Sequence, residues 1–355
     1  MATPTLDQAE AEDFGSRMVA LLNEAFLGLL ISIGHQTGLF DTLAGLPPAT
    51  SARIAAVSGL HERYVREWLG GMAVGGIVEY DRATGAYRLP PEHAATLTRA
   101  AGAENLAFFT QYLALAAAIE QDLVACFRHG GGVPYAAFGR FQRLQAEETG
   151  PLYDALLVDA LLPLVPGLVE RLRAGADALD LGCGSGHAVN VLARAFPDSR
   201  FVGHDLSVEG IAAGSAEAAR LGLANARFVT RDIAALGGAE RYDLITAFDV
   251  VHDLARPLDT LRAIAGALKP GGVFLMLEVA ASSELADNLD HPFGPFLYAA
   301  SVFHCLPVSL AQGGPGLGTV WGEQTARGML AEAGFAVETR QLPSDPLHTC
   351  YIATT

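Results

Sequence analysis

The chain has 355 residues, 51% hydrophobic and 17% charged, with a mean hydropathy of +0.29, so it is long enough for two units and carries more apolar surface than a lone globule hides. Its 23 basic and 39 acidic residues give a net charge of −16, a field that repels phosphate backbones and anionic membranes, so neither nucleic acid nor a membrane is the expected partner. Four cysteines, Cys126, Cys183, Cys305 and Cys350, share no CxxC spacing; this indicates neither a zinc site nor a disulfide framework and fits reduced cytoplasmic thiols.

The opening MATPTLDQAEAEDF lacks the basic and apolar regions of an export signal, and runs such as AFLGLLISIG are read as too short to span a bilayer. From Leu6 to Leu30, polar residues give way to Met18, Val19, Leu21, Leu22, Phe26, Leu29 and Leu30 at helical spacing. That apolar end predicts burial against a second subunit, and hence a homodimer. Short helices and a hairpin follow. Thr50 or Ser51 caps the helix of Ile54, Ala55 and Val57, and Asp81 to Gly85 turns IVEY into AYRL, the order of a winged helix.

Residues 101–170 read as a helical linker contributing to an acceptor pocket, behind a helical, winged-helix-like dimerisation domain over 1–100. Beyond Ala178, seven apolar runs alternate with helical stretches: ALDLG, RFVGHD, ARFVTRD, YDLITAFDV, GGVFLMLEV, FAVETRQL and HTCYIAT. This pattern predicts an α/β domain over 171–355, with a mostly parallel, doubly wound, Rossmann-like sheet covered by helices on both faces.

The first of these strands runs through Asp180 into Leu181-Gly182-Cys183-Gly184-Ser185-Gly186 and then directly into a helix. Glycines there allow a tight turn and bare backbone against a ligand, and the helix start offers free amide donors. Asp205 ends the next strand 25 residues after Asp180 (205 − 180), where a carboxylate can take both hydroxyls of a ribose, and Asp232 is positioned for an adenine amino group. A GxGxG alone also fits an NAD-binding Rossmann half, although there the third glycine would stand one residue later. Cys183 reads as a small space-filler.

Together DLGCGSG, GHDLS, TRDI and LKPGG, in this order, resemble the class I S-adenosylmethionine-dependent methyltransferases, closely over 178–280. The resemblance implies S-adenosyl-L-methionine as cofactor and S-adenosyl-L-homocysteine as product. It places Gly182, Gly184 and Gly186 along the methionine end, Asp205 at the ribose and Asp232 with Ile233 at the adenine, with Asp180, Leu206 and Phe248 as further cofactor-binding residues.

No prolyl-aromatic motif ends the fourth strand; His252-Asp253 stands there instead. The pair, with the winged-helix-like front, resembles the small-molecule O-methyltransferases of plants and bacteria, in which the histidine is the general base. Leu254 stands where many of them carry a tryptophan. A histidine suits an acceptor hydroxyl that must shed its proton; otherwise it caps the following turn or packs beside the cofactor. Asp253 is expected to orient the imidazole. The long insertion 280–321 reads as a lid or binding loop, with Phe293, Phe296, Tyr298, Phe303 and Trp321 as either pocket wall or packing. His304-Cys305 is a second candidate reactive pair, and no metal is expected from Asp249, Asp253 and Asp259. The functional reading is transfer of a methyl group to a small-molecule acceptor, with oxygen favoured. The alternative is a winged-helix transcriptional regulator whose rear domain senses the cofactor, which the paired charges of LHERYVREWLGG disfavour.

Overall fold

The computed structural model describes residues 6–233, 236, 241–342 and 345–355. The chain divides into two compact units, 1–117 and 118–355.

In the first unit, Asp7 caps α1 (Gln8–Thr37), and Gly38 ends it in the left-handed conformation. α2 (Leu39–Ala44) and α3 (Ser51–Ser58) follow, the latter capped by Thr50, whose side chain accepts from Arg53 N. Next come α4 (Glu62–Val74), the paired strands β1 (Glu79–Asp81) and β2 (Ala86–Arg88), and α5 (Pro91–Leu97). Phe40, Ile54, Trp68, Leu69 and Met72 fill the core. α1 approaches so closely at Gly34 that a Cβ there would lie 2.5 Å from the Trp68 ring.

α1 is one unbroken helix of 30 residues, and by length and composition it is apolar enough to cross a membrane, as is the helical segment Gly294–Ala311. The expectation of runs too short to span is corrected here: Asn23, Gly28 and Gly34 interrupt the apolar run without interrupting the helix. Phe14, Val19, Leu21, Leu22 and Phe26 stand exposed along it.

The chain passes to the second unit within α6 (Gln111–His129). α7 (Phe141–Leu152) runs into a π-helical stretch at Tyr153–Leu161, and α8 (Leu168–Ala174) leads to the sheet. The sheet is built from β3 (Asp177–Leu181), α9 (His187–Ala195), β4 (Arg200–Asp205), α10 (Val208–Leu221), β5 (Ala226–Thr230), β6 (Tyr242–Phe248), α11 (Pro257–Ala267) and β7 (Leu268–Val279). After α12 (Gly294–Ala300), α13 (Leu306–Ala311) and α14 (Gly322–Glu332), β8 (Ala336–Leu342) and β9 (Asp345–Thr354) complete it.

All seven strands expected from the apolar runs are present. The order is β5-β4-β3-β6-β7-β9-β8, parallel through β7, with β9 antiparallel to both its neighbours. Chain direction across the sheet reverses between β3 and β6, so the crevice at their carboxyl ends is where such folds bind ligands. Two apolar clusters cover the two faces, one around Leu192, Leu244 and Leu275, the other around Ile245, Ile264 and Phe274. At the opposite edge Lys269, from LKPGG, bonds Asp177 (2.8 Å) and Asp243 (2.7 Å), tying three strands together away from the crevice. The insertion 280–321 is largely helical rather than an open loop, with a π-helical turn at Ser301–Cys305.

Candidate active site

The crevice begins where β3 ends. Gly182, Gly184 and Gly186 all have positive φ (69°, 53° and 75°), which L side chains rarely adopt. They differ in what surrounds them. A Cβ on Gly186 would lie 2.3 Å from the Phe228 ring, and one on Gly182 2.5 Å from Val250, whereas at Gly184 the nearest atom is Gln142 Oε1 at 3.5 Å. Gly186 and Gly182 are therefore glycine for packing, and Gly184 for conformation and open space.

Asp205, at the end of β4, anchors this turn. Its Oδ2 accepts from Gly184 N (2.8 Å) and its Oδ1 from Ser207 N (2.7 Å). A carboxylate offers about four lone-pair sites, so acceptor capacity remains beyond these bonds. Burial pushes the Asp205 carboxyl up, against these backbone donors. Asp180 is buried with Thr246 Oγ1 donating to it at 2.6 Å, and burial, aided by the charge of Asp205, pushes it up to about 7. A buried carboxyl so disposed ionises readily beside an added positive charge. Leu206 is exposed, as is Asp232 just beyond β5, while Ile233 is buried in the core under the sheet. Phe248, at the end of β6, is buried and lies 5.5 Å from the Tyr153 ring.

Asp249 follows with a φ of 55°, the only described non-glycine residue in the left-handed region. It is held there by Asp249 N donating to Leu277 O (2.9 Å) and by His348 Nε2, 3.1 Å from Oδ2; His348 Nδ1 in turn faces Asp345 (2.8 Å). Burial opposes charge on His348, but Asp249 and Asp345 hold its pKa well above the ordinary value.

His252 lies in the short 3-10 turn Val251–Asp253 and is buried. Its Nδ1 donates to Glu278 Oε2. Glu278, fully buried on β7, is itself fixed by Val251 N (3.0 Å) and Trp321 Nε1 (3.3 Å). The ring thus has one nitrogen committed, and in its neutral form Nε2 keeps the lone pair. Asp253 lies on the other side, with Oδ1 3.5 Å from Nε2. Burial disfavours the charged ring, yet Glu278 and Asp253 hold its pKa well above the usual range.

Orientation of the imidazole therefore falls to Glu278, which the sequence reading did not single out, and Asp253 faces Nε2 instead. The available signal was a lone carboxylate inside the apolar strand GGVFLMLEV. Trp321, expected in a wall or in packing, packs in the core and donates to Glu278.

Phe293 and Phe296 of the insertion are each 36% exposed, and the aromatic rings that meet the insertion's His304 come from 135–141. Phe141 stacks on His304 at 3.5 Å and 14°, and Phe138 (4.7 Å) and Tyr135 (5.8 Å) meet the same ring edge-on. Burial in this apolar box, with His252 nearby, lowers His304 to about 3. Cys305 beside it is buried and accepts from Thr319 Oγ1 at 3.0 Å; burial pushes its thiol up to about 11. No spacing in the sequence links 135–142 with 304, so this grouping was not legible there.

Residues 172–319 match a methyltransferase-domain model, and residues 25–99 match a model of the Rv2258c-like winged helix-turn-helix domain. The chain carries a methyltransferase domain behind a winged helix. Trans-aconitate 2-methyltransferase of Methylobacterium radiotolerans is 32% identical over 152 residues, 43% of this chain and 50% of that protein. The chain thus spans about half the length of the curated relatives it matches. Two solved structures share the fold over nearly the whole chain. Human N-acetylserotonin methyltransferase in complex with S-adenosylmethionine has a TM-score of 0.69 at 17% identity, covering 100% of this chain and 99% of that one. An O-methyltransferase from neocarzinostatin biosynthesis, bound to S-adenosyl-L-homocysteine and 1,4-dihydroxy-2-naphthoic acid, has a TM-score of 0.64 at 18% identity, covering 92% and 96%.

S-adenosylmethionine is the cofactor that a methyltransferase domain implies. The cradle fits it: open space over Gly184, remaining acceptor capacity on Asp205 where a hydroxyl can donate, and at Asp180 a buried carboxyl suited to a cation. No basic side chain stands in the glycine turn, in keeping with a ligand that has no phosphate.

Proposed function

We propose that this protein is an S-adenosylmethionine-dependent methyltransferase whose acceptor is a small-molecule hydroxyl. The observation that carries the reading is the His252–Glu278 dyad, placed by the end of β6 and by β7 at the same sheet edge as the glycine turn. The bound cofactor would supply an electrophilic methyl group on its sulfonium. Gly182, Gly184 and Asp205 bind and position it, and Asp180 and Phe248 flank its methionine end. Asp232, although exposed, lies near enough in the chain to Ile233 to serve the adenine end.

Once its Nε2 proton has left to solvent, His252 Nε2 takes the acceptor's hydroxyl proton as the oxygen–methyl bond forms, and Glu278 steadies the resulting imidazolium through Nδ1; because Glu278 and Asp253 raise the pKa of the ring, turnover should rise with pH. Asp253, on the Nε2 side, is placed to hold the acceptor's polar group rather than the ring. The neighbouring O-methyltransferase bound to a dihydroxynaphthoic acid, together with the Phe138–Phe141–His304 box, supports a planar hydroxylated acceptor. Methyl transfer to hydroxylated aromatics, lost in H252A while that variant still binds S-adenosylhomocysteine, tests the reading. Equal turnover by H252A would refute the base assignment.

We also infer a homodimer formed through the first unit, because Phe14, Val19, Leu21, Leu22 and Phe26 expose a long apolar face on α1. A monomer by light scattering at micromolar concentration overturns that. The winged-helix match favours one second reading, a DNA-binding regulator. On α4, however, Arg63 pairs with Glu67 and Arg66 with Glu62, leaving little positive charge for phosphates. A gel-shift titration at low salt should show no complex; a sequence-specific one would revive the regulator.

A further inference from the structure

Around the reacting nitrogen of His252 stand three more groups whose spacing is unusual. A ring nitrogen of His252, a carboxylate oxygen of Asp253 and Cys305 Sγ all lie within 4.8 Å of one another. Nε2 is 3.5 Å from Asp253 Oδ1, and His304 Nδ1 is 3.7 Å from Cys305 Sγ and 3.8 Å from Asp253 Oδ2. For nitrogen and oxygen these separations are long for hydrogen bonds. Among the described residues, Asp253 Oδ1 and His304 Nε2 are buried with no hydrogen-bond partner. Of the atoms that face one another here, Asp253 Oδ1 is the buried one without a hydrogen-bond partner, while His304 Nδ1 and Cys305 Sγ meet at the length of a weak sulfur contact.

The same separations suit a shared ion. In a tetrahedral site with bonds of about 2.0–2.3 Å, neighbouring ligand atoms stand roughly 3.3–3.6 Å apart. The outer contacts are also those of a ligand set: His252 Nδ1 is anchored on Glu278, which aims Nε2 at the cluster, and Thr319 Oγ1 donates to Cys305 Sγ. Imidazole, thiol and carboxylate together select a borderline-soft ion such as Zn2+ or Co2+ over Mg2+ or Ca2+, which prefer oxygens alone.

We propose that His252 Nε2, Asp253 and Cys305 Sγ, with His304 Nδ1 on the fourth side, form a binding site for a divalent cation of the Zn2+ class. On binding, the metal bonds to Cys305 Sγ and His252 Nε2 form as the thiol proton and the Nε2 proton leave to solvent. The ion occupies the lone pair that a general base needs, so, resting on the reading of His252 as base, it switches methyl transfer off.

Titrating Co2+ into the full-length protein reads the site without turnover. One equivalent should bring thiolate-to-cobalt absorption in the near-ultraviolet and tetrahedral ligand-field bands in the visible. Zn2+ should displace them and Mg2+ should not. C305S should lose the thiolate band and C126S keep it. H252A, which retains the thiol, should weaken Co2+ binding by about tenfold or more, the scale of losing even an outer contact to a metal ligand. No thiolate band in the parent, or a band that survives in C305S, overturns the site, as does unchanged affinity in H252A. If the bands appear as expected while Zn2+ leaves methyl transfer untouched, the ion site stands and the base assignment fails.

Discussion

The cofactor half and the acceptor half of the crevice are built in different ways. The cofactor half is local: Asp180 to Gly186 is one turn, and Asp205 reaches it from the adjacent strand through a single hydrogen bond to Gly184 N. The proposed acceptor half draws on 135–142, 252–253, 278, 304–305 and 319–321, which meet only in the folded chain. Backbone shape can be written in a short motif, whereas a buried imidazole needs partners from several elements to fix its tautomer and charge.

The sharpest test of that division is His252. H252A should slow turnover by about 10²–10⁴-fold, the usual share of a positioned base, with cofactor affinity nearly unchanged by calorimetry. A parallel loss of cofactor affinity would show that the halves are not separable. On the other side, D205A removes the acceptor for Gly184 N as well as for ligand hydroxyls. Cofactor affinity should fall by roughly 1–3 kcal/mol, about 5- to 150-fold, while the rate at saturating cofactor changes little. Affinity equal to the parent's would take Asp205 out of the site.

Two glycines sharpen the contrast within the cofactor half. G186A meets Phe228 at 2.3 Å and a φ of 75°, so it should lower stability by at least about 1–2 kcal/mol, read as a fall in the denaturant midpoint. G184A has the φ penalty but space around it, so its main effect should be on cofactor binding. If G184A destabilised as much as G186A, the open side of Gly184 would not be a ligand space.

The smallest expected effect concerns His348, which braces Asp249. Its folded pKa is raised, so its stabilising share is complete below about 6.5, the unfolded value, and is lost as pH rises through the folded one. The melting-temperature gap between the parent and H348Q should therefore be widest in mild acid and narrow with rising pH. A gap that widens toward alkaline pH contradicts the ion pair.

The seven strands, the glycine turn and Asp205 were legible in sequence because each depends on hydrophobic period or on residues a few positions apart. The winged helix was legible for the same reason, from a cap at Thr50 and a turn at Gly85. The sequence also placed His252 at the sheet edge, since the end of a strand follows from its pattern. Only the tertiary structure decided what that histidine is next to. Glu278 reaches it because β6 and β7 are parallel neighbours, and Phe141 stacks on His304 because distant helices pack together; register and packing are properties of the assembled sheet and core, which no local spacing encodes.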